Sequence, residues 1–246
     1  MICYKVLTLF PRVIEEYINN NAPIKRGIEN NLIDIKVINY RDYSSDKHKK
    51  VDDEIYGDGC GMLIKCQPVI DAVRANASNN AKIIITDPRG KVFNKKIAEE
   101  LSKEKEIVII CGRYEGFDER ISDILKPEKI SLGDFILTGG EIVALSIIDA
   151  SSRFINGVLD SYESLLEESF NNLLEYDHYT RPREYMGLCV PEVLFSGDHK
   201  KINEFRLKSS LKNTIKNRPD LLKSLNLNGQ TLTMAKEIIK EIYYDK

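Results

Sequence analysis

Along the first 150 residues the hydrophobic pattern switches repeatedly between two periods. Short, β-branched apolar runs at Tyr4–Phe10, Ile33–Tyr40, Lys82–Thr86, Ile107–Cys111 and Lys129–Leu132 predict strands. Between them, Arg12–Asn20, Gln67–Ala75, Lys95–Lys103 and Phe117–Leu125 place apolar residues at helical spacing with charges opposite, and predict helices. Asn94 and Asp118 suit N-caps, and Pro68 suits a first helical turn. The runs AKIIIT and EIVIIC are almost wholly apolar, as expected of strands covered on both faces. This alternation predicts an α/β domain on a parallel sheet with helices on both faces.

The pattern then changes. Ile142–Phe154 reads as a buried amphipathic helix, whereas Gly157–Pro182, rich in acids, asparagines and tyrosines, reads as a linker or mobile arm. Beyond Pro191 only helical patterns remain, at Lys200–Lys216, Pro219–Leu225 and Thr231–Tyr243. The expected division is an α/β body over 1–157, a hinge over 158–182 and a small all-helical domain over 183–246.

Composition excludes several classes. With 42% hydrophobic and 30% charged residues the chain can build an ordinary soluble core, and no apolar run approaches a bilayer's thickness. The start, MICYKVLTLFPR, lacks a signal-peptide pattern and reads as a first strand. Five scattered cysteines without a C-x-x-C pair, and three dispersed histidines, suggest neither a disulfide frame nor a zinc site, so a reduced, cytoplasmic setting is expected. A net charge of −2 gives no global field for nucleic acid. Yet Lys200, Lys201, Arg206, Lys208, Lys212, Lys216 and Arg218 face only Glu204 between residues 199 and 218. Such a run is either a solvated helix face or a phosphate-contacting one.

Three segments put unusual residues just after a strand, where α/β sheets collect ligands. They are TDPRG (86–90), CGRYEGFDER (111–120) and SLGDFILTGGE (131–141). Each brings glycine or proline to a place where backbone can approach a ligand. Neither a Gly-x-Gly-x-x-Gly nor a Gly-x-x-x-x-Gly-Lys-Ser/Thr loop is present, so dinucleotide and triphosphate sites are disfavoured. Apolar strand ends with exposed backbone suit a flat heterocycle such as adenine.

GRYEGFDER, SLGDFILTGGE, DASSRFINGVL and HYTRP, in this order, resemble the bacterial tRNA (guanine-N1)-methyltransferase family, a branch of the knotted SPOUT methyltransferases. YGDGCGMLIK near residue 60, DPRG at 87–90 and VLFSGDHKKINEFR at 193–206 extend the likeness over nearly the whole chain. The resemblance implies a deep trefoil knot that grips S-adenosylmethionine. Gly112 and the loop Leu132, Gly133, Asp134, Phe135, Ile136 and Leu137 should contact it, with Pro88, Glu115, Gly139 and Gly140 nearby. Bare backbone at Gly133, Gly139 and Gly140 would meet the adenine edge, and Leu132, Ile136 and Leu137 its faces.

The implied reaction methylates N1 of the guanine immediately 3′ of the anticodon. That nitrogen must lose a proton, which calls for a general base, and charge gathering towards O6 calls for a cation. The family's arginine matches Arg153, and its aspartate before Ser-Phe is Glu168 here, with Glu167 as local rival. His178, Tyr179 and Arg181, with Lys200, Lys201, Arg206, Lys208 and Lys212, become candidate contacts to the tRNA anticodon stem-loop. HYTRP also reads as an extended turn before proline. Homodimers with a shared active site, and magnesium, go with the family, although no acid cluster here marks a metal site. Two further departures are Asp58 in the family's YGGGPGM and Tyr176-Asp177 for its Cys-Pro. The alternatives are another knotted RNA methyltransferase, acting on a different base or on ribose, and a non-catalytic RNA-binding protein.

Overall fold

The computed structural model describes residues 1–159, 169–170, 173–225 and 228–243. Two compact units result, Met1–Tyr162 and Glu163–Lys246. The first is built on a five-stranded, all-parallel sheet in the order β2-β1-β6-β5-β7, with β1 Ile2–Thr8, β2 Ile33–Asn39, β5 Lys82–Val92, β6 Glu106–Ile110 and β7 Glu128–Ser131. A separate antiparallel hairpin pairs β3 Asp52–Ile55 with β4 Gly59–Ile64. The helices are α1 Pro11–Asn20, α2 Ala22–Glu29, α3 Cys66–Asn76, α4 Lys95–Leu101, α5 Arg120–Leu125 and α6 Glu141–Ser152.

The near-continuous apolar strands do what such strands should. In β6, Ile107 and Ile109 join Tyr4, Val6, Ile84 and Ile130 under α1, α2, α4 and α6. Val108 and Ile110 point the other way, joining Leu7 and Ile85 under α3 and α5. Each is fully buried, a gain of about 1.5–3 kcal/mol per side chain over exposure. The two-sided parallel sheet thus stands as expected. Asn94 caps α4, its Oδ1 accepting from the Ile97 amide at 3.1 Å. Asp118 instead precedes its helix by one more residue, because Phe117 forms a bridge with Ile64 and α5 begins only at Arg120.

At the sheet edge β5 bulges between Thr86 and Lys91 and then pairs with β7 again. Gly90 makes this possible: a Cβ there would lie 2.4 Å from the Lys129 carbonyl carbon. Ions pin the looped-out residues. Arg89 reaches Asp87 at 2.7 Å and Glu119 at 3.1 Å, Lys129 reaches Glu119 at 2.7 Å, and Lys82 reaches Glu128 at 2.7 Å.

The second unit contains the helices His199–Asn217 and Gly229–Tyr243 and a two-stranded hairpin, Glu184–Tyr185 with Leu188–Cys189. Leu211, Ile215, Ala235 and Ile238 form its core. The chain from Leu174 to Asp177 is strapped to the first of these helices. The Leu174 amide donates to Thr214 Oγ1 at 2.9 Å, Asn213 donates to the Glu175 carbonyl at 3.0 Å, and Ser209 Oγ donates to Asp177 Oδ2 at 3.0 Å. Asp177, a departure from the family pattern, is therefore a structural anchor.

The edge network predicts an acid response. Burial alone would raise the Asp87 carboxyl, but Arg89 and then Lys129 outweigh it and hold it below the usual range. Lys129 does the same for Glu119, and Lys82 for Glu128. Groups depressed in the folded state stabilise it fully above their unfolded values of about 4, and that stability is lost as the pH falls through the lower folded values. The melting temperature should therefore drop as the pH falls below about 5, and Asp87→Asn should flatten the drop while lowering the neutral-pH value. An unchanged slope in that variant would count against the network.

Candidate functional site

Because β6, β5 and β7 are parallel neighbours, their carboxyl ends lie side by side. The three glycine- and proline-bearing segments converge there on a cavity of about 270 Å³. Pro88, Gly112, Glu115, Leu132, Phe135, Ile136, Leu137, Gly139 and Gly140 line it. Of the expected contact residues, Gly133 and Asp134 sit in the same loop but outside the lining. Leu132 and Leu137 pack against the core, whereas Phe135 and Ile136 are 55% and 77% exposed, so they form a rim rather than a closed wall.

The junction is made of backbone. The Gly140 amide donates to the Gly112 carbonyl at 2.8 Å, and the Gly112 amide donates to Thr86 Oγ1 at 3.1 Å. A Cβ on Gly140 would lie 1.9 Å from that same oxygen. The amide hydrogens of Gly133 and Gly140 are both used within the chain. Gly140 spends its hydrogen on Gly112, and Gly133 donates to Ser131 Oγ at 3.2 Å. Gly140 is bare because Thr86 and Gly112 press on it, and Gly133 because its backbone lies at φ +153°.

The hairpin supports the middle segment. Glu115 donates its amide to the Met62 carbonyl at 3.1 Å, and the Ile64 amide donates to the Gly116 carbonyl at 2.9 Å. Gly61, at φ +90°, leaves room for Glu115, whose Cγ a side chain would meet at 2.5 Å. Tyr114, on the cavity wall, holds φ +58°, a strained value for a tyrosine. Asp58 also has a positive φ, in the hairpin turn, where aspartate is among the better tolerated residues.

At the cavity is a charged pair that the pattern reading passed over, Arg113 in the lining and Glu141 outside it. Glu141 is 2% exposed, and Thr8 Oγ1 donates to its Oε1 at 2.6 Å. Arg113 Nη2 stands 3.1 Å from Oε2, and the guanidinium covers the Phe10 ring at 4.1 Å. Burial and then the Glu141 charge push the Cys111 thiol well up, so it is an inert neutral group. The signal was present: an acid directly after two glycines at a helix start, and an arginine directly after a strand-end glycine.

Arg153 is not brought to this cavity. It follows α6, whose twelve residues span about 18 Å, and lines a groove of about 500 Å³ with Tyr17, Ile142, Leu145 and Asp149. Glu167 and Glu168 lie outside the described residues. In the second unit Lys200, Lys201, Lys208 and Lys212 are exposed along one helix. Lys201 pairs with Asp198 and Lys212 with Glu241, each at 3.3 Å. Arg206 lies over the Tyr176 ring at 4.8 Å, and His178 Nε2 is 3.0 Å from Glu175 Oε1. Tyr179 and Arg181 are exposed. Among the described residues no three His, Cys, Asp or Glu side chains gather as a metal site, and no helix is long and apolar enough to cross a membrane.

Comparison with known proteins agrees with this architecture. Residues 2–224 match the family described as tRNA (Guanine-1)-methyltransferase TrmD. A tRNA (guanine-N(1)-)-methyltransferase of Finegoldia magna is 50% identical over 229 residues, covering 91% of this chain and 98% of that protein. One from Caldicellulosiruptor saccharolyticus is 49% identical over 231 residues, covering 93% and 94%. Another, from Dictyoglomus turgidum, is 44% identical over 243 residues and covers 98% of both. With this identity sustained along the whole α/β body and beyond, the chain belongs to the tRNA (guanine-1)-methyltransferase TrmD family.

Proposed function

We propose that this chain transfers a methyl group from S-adenosylmethionine to N1 of the guanine immediately 3′ of the anticodon in tRNA, working as a homodimer with each active site shared between subunits. The observation that carries the reading is the cavity at three parallel strand ends, apolar in its walls and lined by backbone. Its volume of about 270 Å³ is near the lower end for small-molecule pockets and suits the nucleoside end of the donor. Packing of Gly90 on β7 and of Gly140 on Gly112 supports the tight chain crossing that a deep trefoil knot requires.

The donor, when bound, supplies a methyl group already activated on a sulfonium. What remains for the protein is alignment and deprotonation. Glu168, on the hinge proposed for residues 158–182, takes the N1 proton, and Arg153 faces the charge gathering at O6. The length of α6 separating Arg153 from the cavity supports a shared site, because a second copy can supply what one chain cannot. The exposed lysines of helix His199–Asn217 contact phosphates, while His178, Tyr179 and Arg181 face splayed bases, in a tRNA-binding domain of residues 183–246. No residue is assigned to magnesium. Work on tRNA places the protein in the cytoplasm.

Four results test this. Label from the donor should map to the guanine beside the anticodon of a tRNA transcript, and replacing that base should abolish it. Gly140→Ala should weaken donor binding by at least about tenfold in calorimetry, because Thr86 and Gly112 cannot both retreat. Arg153→Ala and Glu168→Gln should lose transfer by about 100-fold or more yet still bind donor. Mixing Arg153→Ala with Gly140→Ala subunits should restore part of the activity; a mixture as inactive as its parts would refute the shared site.

A further inference from the structure

The pair at the cavity has no part in the steps above, yet it meets the donor loop where that loop runs into α6. Glu141 opens α6, and Thr8 Oγ1 ties its Oε1 to the end of β1 at 2.6 Å. Arg113 Nη1 donates to the Thr138 carbonyl at 3.3 Å. Arg113 Nε and Glu141 Oε2 are buried without a hydrogen-bond partner, although Oε2 and Nη2 stand at ion-pair distance, 3.1 Å. Both lie directly under Gly139, where a Cβ would meet them at 2.3 and 2.5 Å.

Burying two charges costs several kcal/mol per ion before their attraction is counted, and apolar side chains of similar volume often serve stability as well. A helix-dipole role needs no burial either, since an exposed acid in the first turn serves it. What an apolar pair could not do is hold the Thr138 carbonyl and leave the backbone of residue 139 resting flat on a guanidinium.

We propose that Glu141 is a positioning residue: it orients Arg113, and Arg113 fixes the Thr138–Gly140 backbone in the shape that receives the methyl donor. This rests on the reading that the cavity binds S-adenosylmethionine. The pair acts as one unit, with Thr8 setting the carboxylate and Phe10 closing the solvent side of the guanidinium. Neither charge touches the reacting atoms, so its loss weakens donor affinity and leaves tRNA affinity alone.

The test compares wild type, Glu141→Gln, Arg113→Met, their double variant and Thr8→Val, all well below their melting temperatures. Donor Kd by calorimetry and the separate KM values for donor and tRNA are the readouts. Each charge variant should raise the donor Kd and KM by about tenfold, the size of a lost charge-assisted contact. The tRNA KM should stay within about twofold, and the double variant should bind donor no more weakly than Arg113→Met alone. Glu141→Asp should recover part of the loss. A lower melting temperature with unchanged donor Kd would overturn the proposal, because the pair would then only stabilise the fold. Should Glu141→Gln fail to fold, Thr8→Val decides: donor binding weakened about threefold supports the proposal and unchanged binding overturns it. If wild type itself binds no donor, the reading of the cavity falls and the proposal with it, an outcome distinguished by appearing before any substitution.

Discussion

One contact sets the shape of the cavity: the backbone of residue 140 lies against the backbone of residue 112, amide to carbonyl at 2.8 Å, with the Thr86 hydroxyl wedged against both. Three strand ends meet there at a distance that side chains would not permit. Such a junction trades the hydrophobic contacts of an ordinary core for backbone hydrogen bonds, and in a buried place those bonds have to be made in full. The loop 132–139 is consequently held at both ends, by Ser131 in β7 and by Gly140 at the start of α6, while Phe135 and Ile136 project at its middle. A rigid base with a yielding rim is a reasonable receptor for a flat group that must enter and leave.

That junction also determines the local electrostatics. The carboxylate at the head of α6 is buried, and its Oε2 lies where a Cβ on Gly139 would meet it at 2.5 Å. Burial, and then this carboxylate, raise the thiol of Cys111; burial, Cys111 and then the carboxylate raise the hydroxyl of Tyr40, so both stay neutral. The remaining ionic interactions of the cavity wall lie outside it, where Asp87, Arg89, Glu119 and Lys129 clamp the β5 bulge. Two of the three charged residues of the lining, Asp87 and Arg113, are thus paired with partners in the scaffold.

The sheet was legible because its strands are apolar on both faces, and few other structures would bury AKIIIT and EIVIIC side by side. Boundaries were less so. Leu9 and Phe10 continue the apolar run of β1 but leave the sheet, Phe10 to cover Arg113. The hairpin Asp52–Ile64 was missed since its acids and glycines show no alternation; it is held by its turn and by bonds to residues 115–118 rather than by a buried face. Helix α2 was missed for a similar reason: eight residues follow directly on α1, and its signal is the Asn21 cap, accepting from the Ile24 amide at 3.1 Å. At the site, the three strand-end segments were readable from their glycines, but the reason for those glycines was not. Close approach of two backbones is a property of tertiary structure that a sequence shows only as the absence of a side chain.

The distribution of functional groups follows from these constraints. The cavity lining combines aliphatic side chains and glycine backbone with three charged residues, Asp87, Arg113 and Glu115, of which Asp87 is paired with Arg89 and Arg113 with Glu141. In the function proposed above, acid–base chemistry comes from groups on other supports. The sequence offers them where the sheet does not reach, with a cation past the far end of α6 and carboxylates in the segment joining the units. Separating the rigid receptor from the reactive groups lets binding of the donor be set by the strand ends alone. On that reading, assembly of the reactive centre waits for the nucleic acid and the second subunit to arrive. A guanine that must be drawn out of its stack before its N1 is reachable favours such an order, since a base completed only around the extruded ring deprotonates nothing else.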